Sequence, residues 1–197
     1  MPAKRPGRMS FAVPLGVCFP CWREAALRNG AQALALFESI DCGLEAAILR
    51  NSMALAHLRA GNVRRAAEFA EQARHIVEQI DDRRQLAHVA ETQAQIALAN
   101  DDEQAMNEYA LEALDLARSV GDGHAEAAAL LTLARARRRT DAAAAEATYA
   151  QTAMLLRRVG PRRHLQDLLR EWAELLVSQD RHQEAVALLQ EALTPDD

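Results

Sequence analysis

The sequence predicts an all-α fold, a helical-repeat solenoid of stacked helical hairpins, on three observations. First, one pattern recurs about every forty residues: Ala33, Ala73, Ala113, Ala153 and Ala192 are separated by 40, 40, 40 and 39 positions. A second set of small residues, Ala54, Ala94, Ala134 and Ala173, keeps the same beat. Second, apolar residues recur three and four positions apart, as in Leu168, Leu169, Trp172, Leu175 and Leu176, and no segment alternates as a strand would. Third, hydrophobic residues make up 50% of the 197-residue chain but aromatics only 4%. Alanine and leucine therefore do the filling, which favours close helix–helix contact over a sheet or one large core. A fixed period of this length excludes most compact enzyme folds.

Residues 1–20 fall outside the repeat. The stretch from Met1 to Arg8 is basic and helix-breaking, and the apolar run from Phe11 to Phe19 is interrupted by Pro14 and Gly16. These residues are expected to form an irregular or flexible leader. The run has a faint signal-peptide outline, and Leu15 to Cys18 faintly resembles a lipoprotein cleavage box, so export or lipid anchoring stands as an alternative.

From Trp22 onward the periodicity predicts helices over 22–38, 43–60, 62–78, 83–99, 102–119, 123–138, 141–158, 161–178 and 181–193. Gly61-Asn62 and Asn100-Asp101-Asp102 separate pairs of helices. Thr140-Asp141 offers capping oxygens, and Gly160-Pro161 places proline in a first turn, where its missing N–H costs little. The repeat domain is expected to span 21–194, about four repeats plus a half repeat, followed by a tail at 195–197.

The net charge of −5 argues against direct nucleic-acid binding by this chain. No run of about eighteen apolar residues exists to cross a membrane. Charge is unevenly distributed. Between Ala66 and Asp115 twelve acids face three arginines, a balance of −9, whereas between Leu130 and Arg170 nine arginines face three acids, a balance of +6. Such a dipole can orient a charged partner or promote self-association into a homo-oligomer; equally, the arginines can be solvated on exposed faces.

Three cysteines at irregular spacing indicate reduced thiols and a cytoplasmic protein. Cys18-Phe-Pro-Cys21 has dithiol spacing, but zinc needs two further ligands and redox chemistry normally needs a sheet that this chain lacks. The histidines form no His-x-x-x-His pair. There is no phosphate-cradling glycine loop, serine elbow or paired-carboxylate site. The sequence thus points to no catalytic residue, no metal and no cofactor, and to a protein that is not an enzyme.

The large-then-small pairs Met53-Ala54, Gln93-Ala94, Leu133-Ala134 and Trp172-Ala173 have partners in the following helices. These are the sets Ala66, Ala70, Ala73; Met106, Ala110, Ala113; Glu146, Ala150, Ala153; and Ala185, Leu189, Ala192. This arrangement resembles the tetratricopeptide repeat in a forty-residue variant with lengthened helices. The resemblance covers residues 21–194 and implies a right-handed superhelix. Gln93 and Glu146 depart from it, as do His57 and Arg137 at a position often aromatic. The helix around 141–147 is therefore expected to pack loosely. The C-terminal part, from Ala145 to Leu193, resembles the repeat half of Cro/CI-type helix-turn-helix bacterial regulators. The array opens at the second helix of a repeat, so the chain reads as a fragment or remnant of a longer regulator.

The resemblance also implies a binding groove on the inner face of the first helices. In register there lie Asn51, Leu55 and Leu58; Glu91, Gln95 and Leu98; Leu131, Arg135 and Arg138; and Arg170, Glu174 and Val177, with His88 and Arg139 beside them. Amides suit a peptide backbone, leucines suit apolar anchors, and Arg135, Arg138 and Arg170 suit the carboxylates of an acidic partner. The expected function is a non-enzymatic protein- or peptide-binding module, the sensor part of a bacterial regulatory protein. The alternatives are a self-associating structural adaptor, or an exported or redox protein using the leader cysteines.

Overall fold

The computed structural model describes residues 19–40 and 42–194. Among them are nine helices and no strand: α1 (Phe19–Ser39), α2 (Gly43–Arg59), α3 (Val63–Gln79), α4 (Arg83–Ala99), α5 (Glu103–Ser119), α6 (Gly123–Thr140), α7 (Ala142–Val159), α8 (Arg162–Val177) and α9 (His182–Leu193). Each packs against the next, and the even-numbered helices also touch one another, α2 with α4 and α4 with α6. This is an all-α helical repeat. Helix α1 starts at Phe19, so the last two positions of the expected leader are helical. Residues 1–18, including Cys18, lie outside the described residues.

The half-period of twenty residues has a local cause. Helices α2 to α5 are each 17 residues long, and three residues link one to the next. The middle linker residue adopts a left-handed conformation at Gly61, Asp81, Asp101 and Gly121, with φ between 54° and 79°. The residue after it donates its backbone N–H five positions back: Asn62 to His57, Asp82 to Val77, Asp102 to Ala97 and Asp122 to Ala117, at 2.9–3.1 Å. This closure satisfies carbonyls that the helix end would leave orphaned. The same residue then caps the next helix. The side chains of Asp82, Asp102 and Asp122 accept the N–H groups of Gln85, Ala105 and Ala125 at 3.0 Å. Later links differ: Asp141 alone ends α6 and caps α7, and Gly160-Pro161 joins α7 to α8.

Packing follows the alanine beat. Ala54, Ala94 and Ala134 are completely enclosed and Ala173 nearly so, as are Ala73, Ala113, Ala153 and Ala192 on the odd-numbered helices. A methyl side chain there lets neighbouring axes approach closely while larger residues fill the flanks.

The start of α7 does not pack loosely. Ala145, Thr148 and Tyr149 are buried, and Glu146 receives two hydrogen bonds from Arg181, at 2.6 and 3.1 Å. Gln93 is likewise accommodated: it accepts from Arg74 at 2.9 Å and donates to Glu71 at 3.3 Å. His57 keeps an aromatic role, stacking on Phe69 with ring centroids 5.3 Å apart. Arg137 instead reaches across the hairpin to the Thr148 hydroxyl at 2.7 Å.

Candidate functional site: the even-helix layer

Helices α2, α4, α6 and α8 carry the fourteen residues expected to line a groove. One helical turn separates Asn51 from Leu55 and Glu91 from Gln95, so each pair shares a face. The touching of α2 with α4 and α4 with α6 brings these faces side by side.

Glu91 is the most enclosed of the set, with 8% of its surface exposed. Its Oε1 accepts hydrogen bonds from Gln95 Nε2 at 2.6 Å and from Thr132 Oγ1 of α6 at 3.0 Å. A buried carboxylate needs such donors, because leaving its oxygens bare away from water is costly. Glu91 and Gln95 therefore bind neighbours in this layer. Asn51 and Leu55 are half-buried on α2, and the Asn51 Oδ1 atom is enclosed without a hydrogen-bond donor. His88 lies with Nε2 3.7 Å from the Asp122 carboxylate.

The arginines expected to meet an acidic partner are engaged within the layer. Arg135 holds Glu171 of α8 through two hydrogen bonds, Nε at 2.9 Å and Nη2 at 2.6 Å. This pairing with Glu171 outweighs burial and raises the Arg135 guanidinium above its ordinary pKa. Arg138 donates to Glu174 of α8 at 3.3 Å, and Arg139 pairs with Asp101. Arg170 pairs with Asp167 on its own helix at 3.1 Å. All four arginines already have a carboxylate. Beneath them the Tyr149 ring is fully buried; burial, followed by the charge of Glu171, raises its hydroxyl pKa.

The layer is thus laced across repeats by residues the sequence reading had passed over, Thr132 and Glu171. Their signal was opposite or complementary chemistry one repeat apart: 41 positions separate Glu91 from Thr132, and 36 separate both Arg135 from Glu171 and Arg138 from Glu174. The odd-numbered helices repeat the device in Arg74 with Glu112 and Arg157 with Glu191.

No protein-family model and no curated protein matches the chain. Solved structures do. The crystal structure of BtubC (BKLC) from P. vanneervenii superposes with a TM-score of 0.63 at 14% sequence identity, covering 91% of this chain and 86% of that one. At that identity the likeness concerns the fold alone: both are helical-repeat arrays. No helix among the described residues is long and apolar enough to cross a membrane.

Proposed function

We propose that this chain is a non-enzymatic interaction module of the tetratricopeptide type that holds a protein or peptide partner on its even-helix layer. The observation that carries the reading is the register of that layer. Leu55, Gln95, Arg135 and Glu174 occupy one position in four successive repeats, and contacts or ion pairs join the helices that bear them. Extended faces of this kind are what solenoids use for binding. Asn51, Leu55 and His88 form its less bonded end, while an acidic group of the partner exchanges with Glu174 for Arg138, the longest of the pairs. A cytoplasmic regulatory protein is the setting that best suits the reduced cysteines and the resemblance to the repeat half of bacterial regulators.

The test is site-specific photo-crosslinking in native lysate, with a benzophenone amino acid at Leu55 or Gln95 and, as control, at exposed Gln151 on α7. Specific capture from the first two positions supports the reading. Equal capture from all three overturns it.

A second reading, a self-associating adaptor, draws on one observation. Val186, Leu189 and Leu193 form an exposed apolar strip on α9, with Leu193 74% exposed. The export or redox reading rests on Cys18, outside the described residues, and on Cys21.

A further inference from the structure

Two clefts open along the edge where even-numbered helices turn into odd-numbered ones, and part of their lining repeats in register. One, of about 200 Å³, is lined by residues that include Ala67, Ile96, Ala97 and Asn100. The other, of about 300 Å³, is lined by residues that include Asn107, Ala136, Arg137 and Thr140. Each of these four residues lies 40 positions beyond its counterpart. The clefts meet at Asp102, which borders both.

Neighbouring repeats carry packed side chains at one of these positions. One repeat earlier, His57 stands where Ala97 stands and closes the position by stacking on Phe69. One repeat later, Leu176 takes the place of Arg137 and is buried, while Arg181 bridges Glu146 and Glu184. At that position the two central interfaces carry Ala97 in one cleft and, in the other, Arg137 drawn aside to the Thr148 hydroxyl.

We propose that these paired clefts bind an extended, basic segment of a partner protein through two apolar side chains set three residues apart. Size favours single side chains, since the clefts lie at and below the lower end of the range usual for small-molecule pockets, about 300 to 1,000 Å³. Spacing argues for the three-residue step. Helices α4 and α6 touch, which puts their axes about 8–10 Å apart. A polyproline-type strand advances about 3.1 Å per residue and returns to the same face every third residue.

Charge sets the sign of the partner. The clefts carry Glu71, Asp101, Asp102, Glu103 and Asp141 against Arg137 and Arg139. Arg139 is held by Asp101 and Arg137 by Thr148. Glu71 accepts from the neutral Gln93 amide, Glu103 shares Arg139 with Asp101, and both glutamates lie in the Ala66–Asp115 stretch whose balance is −9. A lysine or arginine between the two anchors would sit over Asp102, which borders both clefts.

The test uses a fluorescein-labelled Arg-Leu-Arg-Pro-Leu-Arg amide and fluorescence anisotropy. Saturable binding is expected, weakening as salt rises from about 50 to about 300 mM. The Glu71→Arg/Glu103→Arg double variant, with its helical content verified by circular dichroism, should bind roughly tenfold more weakly or worse. A peptide with serine for both leucines should lose a similar factor. The proposal is overturned by no saturation up to about 1 mM peptide, by undiminished binding of the serine peptide, or by equal binding to the double variant. Loss of binding in Leu55→Gln with retention in the double variant would place the probe on the even-helix layer instead, ending this proposal and leaving the function proposed above intact.

Discussion

Arg74 on α3 grips Glu112 on α5 with two hydrogen bonds, of 2.9 and 2.6 Å, across a separation of 38 residues. The same guanidinium also donates to Glu78 and Gln93 and lies 5.9 Å from the centre of the Tyr109 ring. One side chain thus binds consecutive repeats together. Arg74→Ala should lower unfolding free energy by about 1–2 kcal/mol, because partly exposed charge-assisted bonds keep only part of their strength. Urea denaturation measures it. A double-mutant cycle with Glu112→Ala should show coupling of about 0.5 kcal/mol or more; strict additivity would show that the pair contributes nothing.

Ala94 is completely enclosed where the α4 face meets its neighbours. Ala94→Leu has no room for its added methylenes and should cost about 1–3 kcal/mol. A thermal melt identical to the unsubstituted protein would mean that the helix contacts described for Ala94 are wrong.

Asp81 holds a left-handed conformation with φ of 54°, which glycine adopts more readily. Asp81→Gly should leave stability unchanged or raise it by up to about 1 kcal/mol. Gly61→Ala, at φ of 79°, should lower it by about 1 kcal/mol. Denaturant midpoints for the two variants should therefore move in opposite directions, or only the second should move.

His57 gives the fold a pH dependence with a definite sign. Burial, followed by the charge of Arg65, lowers its imidazole pKa below 6.5, against a smaller upward pull from Glu68. The folded state favours the neutral ring, so this stability is fully present above the ordinary imidazole pKa and is lost as pH falls through the lowered one. His57→Phe keeps a ring over Phe69 and should flatten the decline in melting temperature below about pH 6.5. An unchanged slope in that variant would assign the decline to other groups.

The α9 strip predicts association. Light scattering over a concentration series should show mass rising with concentration, and Val186→Glu/Leu189→Glu should remain monomeric, since exposed apolar patches tend to mark contacts. A monomer at every concentration removes the adaptor reading.

The architecture was legible because alanine at a crossing is dictated by axis separation, and that demand repeats every forty residues. Each of the nine helix spans was readable to within three residues at either end, since capping chemistry such as Asp102 and Asp141 is local. The site was legible only as a list of residues sharing a register. Whether Arg135 faces solvent or Glu171 depends on the sideways offset between α6 and α8, which no single-helix pattern contains. For the same reason Gln93 and Glu146 looked like flaws, although each meets an arginine from elsewhere in the array, Arg74 of α3 and Arg181 of the linker before α9.

The linkers also constrain how this chain can change length. Asp81 precedes Asp82 as Gly121 precedes Asp122, and both second residues close one helix and cap the next. Excising the block from Asp82 to Gly121 would join Asp81 to Asp122 and recreate a junction of the same form; duplicating that block would do likewise. Inserting a single residue inside a helix would instead turn everything downstream on that helix by about 100°, carrying its alanines off the crossings. Genetic rearrangements that keep the protein folded are therefore expected to add or delete whole hairpins, and engineered versions can be lengthened or shortened at the same seam.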